Sequence, residues 1–160
     1  MHPTKIDLSS NLRGAIIDEL QAALADSIDL KTQMKQAHWN VKGPSFIALH
    51  ELFDTLSTAA DDYTDLIAER IVTLGGTAIG TLPESAKRSR LPAYPLDIKT
   101  GADHVDAVST ALAAYGKLVR RAIDTTADLK DADTADIFTE VSRGVDKHLW
   151  FVEAHHQAKS

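Results

Sequence analysis

Apolar residues recur at helical spacing along nearly the whole chain. Leu12, Ile16, Leu20, Leu24 and Ile28 follow one another every four residues, the pattern of a helix with one buried face. Asp7, Ser9 and Ser10 stand before this run as candidate caps. Gly43-Pro44 ends it, and Ser45 is placed to cap the next helix. The second run carries Phe46, Leu49, Leu52, Phe53, Leu56, Ala60, Tyr63, Leu66, Ile67 and Leu74, and stops at Gly75-Gly76. At 1.5 Å per residue it predicts a helix roughly 45 Å long. Residues 77–100 change character, with Gly80, Pro83, Pro92 and Pro95 and a basic patch of Lys87, Arg88 and Arg90. They read as a long connection with one short helix near 84–89. Thr100-Gly101-Ala102-Asp103 resembles a capping box with Asp in the Glu position. A third run follows through Val105, Val108, Leu112, Tyr115, Leu118, Val119 and Ile123. After a break around LKDADT, a fourth runs through Ile137, Val141, Val145, Leu149 and Val152. No strand pattern or repeat interrupts the series. A connection as long as 77–100 is unusual inside a compact domain, but a four-helix bundle needs one where the chain crosses from end to end. The prediction is all-α: four long helices with the crossover between the second and third.

Composition narrows this picture without changing it. The 160 residues fit a single domain, with residues 1–8 as an N-terminal tail and 157–160 as a C-terminal one. Hydrophobic residues make up 44%, too many for a disordered chain. No apolar run approaches the roughly 20 residues of a membrane span. The opening MHPTKIDLSS lacks the apolar core of a signal peptide, so the expectation is a cytoplasmic protein. With no cysteine, a metal would be held by imidazole and carboxylate, which suits iron, zinc or manganese. The formal charge of −6 disfavours a broad basic face for nucleic acid, though a local basic tail is compatible with it.

The candidate chemistry begins in QAHWNVKGPSFIALHELFD, residues 36–54. His50 and Asp54 are four apart and share a helix face; His38 lies across the Gly43-Pro44 break. Further along the second helix come Asp61, Asp62, Asp65 and Glu69. From Asp54 to Asp65 is nearly three full turns, so the two pairs share a face within about 20°, roughly 16 Å apart along the axis. One metal cannot touch both pairs on one helix. An antiparallel copy solves this. With a two-fold axis near residues 59 and 60, residue i faces residue 119 − i of the partner. His50 then meets Glu69, Asp54 meets Asp65, small Ala59 and Ala60 lie at the crossing, and one self-complementary interface makes two sites. His38 completes each. The competing reading is a solvated acidic stripe.

These residues resemble the Dps family, the DNA-protection proteins of starved bacteria, which are ferritin-like mini-ferritins. The resemblance runs through AHWNVKGPSFIALHELFD, the DxxAER pattern at residues 65–70, LGGTAIGT at 74–81, YPLDI at 94–98, DTADIFT at 133–139 and DKHLWF at 146–151. It implies a ferritin-like four-helix bundle assembled as a dodecamer around an iron core. It also implies a di-iron ferroxidase site at each two-fold interface, with His38, His50 and Asp54 from one chain and Asp65 and Glu69 from the partner. The implied chemistry is Fe(II) oxidation, preferentially by hydrogen peroxide, by a protein that is cytoplasmic or nucleoid-associated. The competing classes are a DNA-condensing nucleoid protein and a structural or zinc-binding bundle.

Other positions read two ways. Trp39 follows the first ligand; it is a packing residue or, by resemblance, a redox aromatic that quenches oxidising equivalents. Asp131, Asp133 and Asp136 complement a helix dipole, with Asp133 a candidate cap, or by resemblance line a three-fold pore that draws in Fe(II). Glu51 is a candidate for the mineral cavity. Trp150 and Phe151 read as core or interface, His148 as a satisfied core histidine, and His155-His156 as solvated or metal-binding; His2 and His104 carry no signal. The N-terminal region holds only Lys5 as a fixed positive charge, and the C-terminal HHQAKS holds only Lys159. DNA binding is therefore expected to be weak or absent at neutral pH and to strengthen on acidification.

Overall fold

The computed structural model describes residues 1–157, and the predicted elements form nearly where the pattern puts them. The final residues 158–160 of the expected C-terminal tail lie outside the described residues. Helix α1 spans Ser10–Asn40, α2 Phe46–Thr73, α3 Leu82–Arg88, α4 Gly101–Asp128 and α5 Ala132–Gln157. The short helix expected near 84–89 is α3, and no strand occurs among the described residues.

Local chemistry sets the boundaries. Ser9 is the cap of α1, its hydroxyl accepting from the Leu12 N–H at 3.3 Å. The Thr100–Asp103 capping box is present at the start of α4. Ser45, expected to cap α2, makes no side-chain cap bond. Gly75 ends α2 with φ +87°, and a Cβ there would stand 2.5 Å from the His2 carbonyl oxygen; only glycine tolerates both the backbone and the approach. Lys130, at φ 64°, turns the chain between α4 and α5.

The N-terminal segment is no free tail. The His2 N–H donates to the Gly75 carbonyl at 2.7 Å, Ile6 and Leu8 pack on the core, and Arg13 bonds the Leu8 and Leu74 carbonyls. Residues 2–8 strap the bundle end where α2 finishes.

Helix α1 pairs with α2 and α4 with α5, and the α1–α4 contact joins the two hairpins. Phe53, Leu56, Ile67, Tyr115, Phe138, Val141 and Val145 fill the centre, each 2% exposed or less. Burying a side chain of this size contributes about 1.5–3 kcal/mol. In the first apolar run only the middle is core. Ile16, Leu20 and Leu24 are buried, while Leu12 and Ile28 are partly exposed. A strict four-residue repeat turns by about 40° a step, so the stripe passes instead to Leu30, Met34 and Ala37.

The crossover is held by side chains of α1, as its backbone polar groups require. The buried Asp26 accepts from Arg90 at its backbone N–H, Nε and Nη2, at 2.8, 3.0 and 2.6 Å. Gln21 bonds the Ile79 backbone in both directions, and Gln33 bonds the Pro92 carbonyl. The basic patch expected here is not free: Glu84 pairs with Lys87 and Arg88, and Asp26 with Arg90.

Candidate metal centre

His38 sits in the last turn of α1 and His50 in the second turn of α2, and the α1–α2 link folds them face to face. Their rings stack with centroids 3.7 Å apart. The Nδ1 of His38 lies 2.7 Å from the His50 carbonyl oxygen, and the Nδ1 of His50 lies 2.8 Å from the His38 carbonyl oxygen. A carbonyl only accepts, so each Nδ1 carries its ring's proton and donates it. In the neutral ring each Nε2 is then left with a lone pair, the arrangement that orients metal-ligating imidazoles. A turn further on, Asp54 pairs with Lys35. That charged hydrogen bond holds its carboxyl below the usual carboxylate range, with smaller contributions from the two histidines.

Asp65 and Glu69 lie on the exposed side of α2, and neither carboxylate has a hydrogen-bond or ion-pair partner among the described residues. At 100° per residue the four α2 positions span an arc of about 100°. Ala59 and Ala60 fall about 130° from the middle of that arc on the same arithmetic. Ala60 is fully buried in its own bundle, so the small alanines expected at a crossing are not on this face. Thr58 and Asp61 hold the middle of the exposed stripe, Asp61 paired with Lys31 at 2.6 Å. Residues 58 and 61 also sum to 119, so under the same pairing rule this pair, not the alanines, would stand at the centre. Among the described residues, no three of His, Asp or Glu within one chain converge to hold a metal. His38, His50 and Asp54 gather at one end of the stripe, and Asp65 and Glu69 lie at the other.

The acidic residues at the start of α5 separate into two kinds. Asp131 is 4% exposed; its carboxylate accepts from the Thr134 N–H and hydroxyl and from Arg70 at 2.9 and 3.0 Å. Burial pushes its pKa up, but the bonds from Thr134 and Arg70 outweigh this and hold it below the usual range. Asp131, not Asp133, therefore caps α5, and its burial removes it from any pore lining. Asp133 is exposed, 3.9 Å from Arg70, and Asp136 is exposed as well.

Trp39 is 68% exposed and borders a groove between α1, α3 and the crossover, so it is not a packing residue within the chain. Trp150, at 59% exposed, is likewise outside the core. Glu51 is exposed beside His50. His148 is half-buried with no hydrogen-bond partner among the described residues, so it is not the satisfied histidine expected; burial pushes its pKa down. His104, which carried no signal, is 2% exposed and meets the Tyr94 hydroxyl at 2.6 Å through Nδ1. Its spacing of four from Val108 on the apolar stripe was the one hint available.

The ferritin-like domain model matches residues 17–159. A DNA protection during starvation protein from Agrobacterium fabrum is 50% identical over 159 residues, covering 99% of this chain and 98% of the relative. Among solved structures, the tetragonal form of Mycobacterium smegmatis Dps superposes with a TM-score of 0.93 at 31% identity, over 98% of this chain and 96% of that one. Dps from Microbacterium arborescens, in a high iron form, gives 0.87 at 33% identity, over 94% and 97%. No helix among the described residues is long and apolar enough to cross a membrane. A bundle with this crossover, matched end to end by these relatives in sequence and in backbone, belongs to the ferritin-like family and, within it, to the DNA-protection-during-starvation (Dps) proteins.

Proposed function

We propose that the protein is a ferroxidase and iron store that protects DNA by consuming Fe(II) and hydrogen peroxide inside a dodecameric shell. The observation that carries this is the reciprocal His38–His50 bonding, which turns both Nδ1 atoms to carbonyls and leaves two Nε2 atoms free beside Asp54. Asp65 and Glu69 of a two-fold partner complete each site with carboxylates. Two nitrogens against three carboxylates make a hard donor set, which favours Fe(III) over Fe(II) and so favours oxidation. Fe(II) is the substrate. Two Fe(II) ions give one electron each to a peroxide, which takes up two protons and leaves as two waters, so no hydroxyl radical is freed. The high iron form of the Microbacterium arborescens relative supports the same reading. Asp133 and Asp136 remain as the exposed carboxylates of the proposed Fe(II) entrance, and Trp39, next to His38, as the proposed redox aromatic of the oxidation site.

Against DNA condensation stand the strapped N-terminus and the paired Lys87, Arg88 and Arg90. Twelve chains of formal charge −6 carry −72. Binding is weak or absent at neutral pH, which a gel shift at physiological salt checks; the protein acts in the cytoplasm. The deciding experiment follows Fe(II) oxidation optically with peroxide against oxygen, alongside light scattering. The expected result is faster oxidation with peroxide, by an assembly of twelve 17.4 kDa chains. A stable monomer would overturn both shell and shared site.

A further inference from the structure

The α1–α2 link, the start of α4 and the end of α5 meet at one end of the bundle around a pocket of about 490 Å³. Lys42, Ser45, Lys99, Thr100, His155 and His156 line it together with small and apolar residues, and no carboxylate does. That is unusual in a chain with 23 acidic and 17 basic residues. Lys31, Lys35 and Lys87 are each neutralised by an aspartate or glutamate. Lys42 and Lys99 have no ion pair or hydrogen bond from Nζ among the described residues.

Neither histidine forms an ion pair, and the His156 side chain has no hydrogen bond among the described residues. The Nδ1–H of His155 is shared between the Phe151 and Val152 carbonyls at 3.0 and 3.2 Å, leaving Nε2 as its available nitrogen. The start of α4 is closed by its capping box. The start of α2 is not: Ser45 caps nothing, so its hydroxyl is available and the positive helix end is left uncompensated. Like charges around a concavity build a positive potential, which a bound anion relieves. Donors placed on several sides of a pocket suit a tetrahedral oxyanion, with acceptors in every direction, better than a planar carboxylate. Lysine ammonium groups serve phosphate as point charges.

We propose that this pocket binds a phosphate group. The groups facing its histidines are Lys42 from the α1–α2 link, Lys99 from the crossover, and Asp103 and Asp106 from α4, which border His156 on its far side. Asp103 is already engaged by the Thr100 and Lys99 N–H groups.

The test is isothermal titration of the assembled protein with inorganic phosphate at pH 7.5 and fixed ionic strength. The expected result is saturable phosphate binding at one site per chain. It should weaken at least tenfold in K42M/K99M and be unchanged in K117M, an exposed lysine elsewhere on α4. A short DNA duplex that displaces phosphate would identify nucleic-acid phosphate as a source; one that does not leaves free phosphate as the ligand. Absence of saturable phosphate binding, or equal affinity in K42M/K99M with its circular dichroism unchanged, would overturn the assignment.

Discussion

The two ends of α2 prepare their halves of the candidate centre by different means. At the N-terminal end each histidine is fixed by the carbonyl of the other, and Phe46 packs against His50 with ring centroids 5.1 Å apart. At the C-terminal end Asp65 and Glu69 are exposed and without partners, but the backbone behind them is anchored. Arg70 is bonded to the buried Asp131 and to Thr134 at the start of α5. The difference follows from the ligand atoms. An imidazole in the wrong tautomer offers an N–H instead of a lone pair, so it must be oriented before the metal arrives. A carboxylate accepts through either oxygen and needs only to be brought near. The fold therefore orients side chains at one end and positions backbone at the other.

The sharpest way to break this comparison is to separate the two ends onto different chains. Both H50A/D54A and D65A/E69A should lose about 100-fold or more in Fe(II) oxidation rate, the upper range for disrupting even a supporting residue of a metal site. Mixed before assembly, they should regain part of it. In a mixed dimer the 119 − i rule places all four lesions in one site and leaves the other whole. Verified co-assembly without recovery would mean that the two ends do not share a centre.

A smaller effect tests the anchoring itself. R70A leaves the Asp131 carboxylate, 3% exposed, without its cation and should destabilise by about 3–5 kcal/mol, read from urea unfolding. K35A, at the histidine end, removes a pair that is 34% and 47% exposed and should leave stability nearly unchanged. Equal losses in the two variants would refute the idea that only the carboxylate end depends on a buried pair.

The smallest expected effect lies beneath the histidine end, where His104 sits beside the Asn40 backbone. Burial pushes its pKa down, with Lys42 acting in the same sense and Asp103 against it. The folded state thus holds the neutral ring more firmly than the unfolded chain does. Its contribution is complete above the unfolded value of 6.5 and is lost as pH falls from there through the folded value. Urea midpoints at pH 7.5 and pH 5.5 should therefore differ less in H104Q than in the unaltered protein. An identical pH dependence would remove His104 from this role.

The sequence by itself determined what depends on neighbours along one helix. Apolar period, capping box, Gly75 and the break at Lys130 are local, and they yielded the bundle, the crossover and the exposed arc on which His50, Asp54, Asp65 and Glu69 fall. The tertiary structure decided whatever depends on the opposing surface. It turned Ala60 into core and Asp131 into a buried cap, and it strapped residues 2–8 to the end of α2. It also neutralised Arg90 with Asp26 and buried His104 under Tyr94. A helical repeat fixes the direction of a side chain about its own axis; only packing fixes which donor, cation or apolar wall stands in that direction. The reciprocal bonds of His38 and His50 show both at once. Their residue types and spacing are written in the chain, but their tautomers are set by two carbonyls that face each other only after α1 and α2 fold back together.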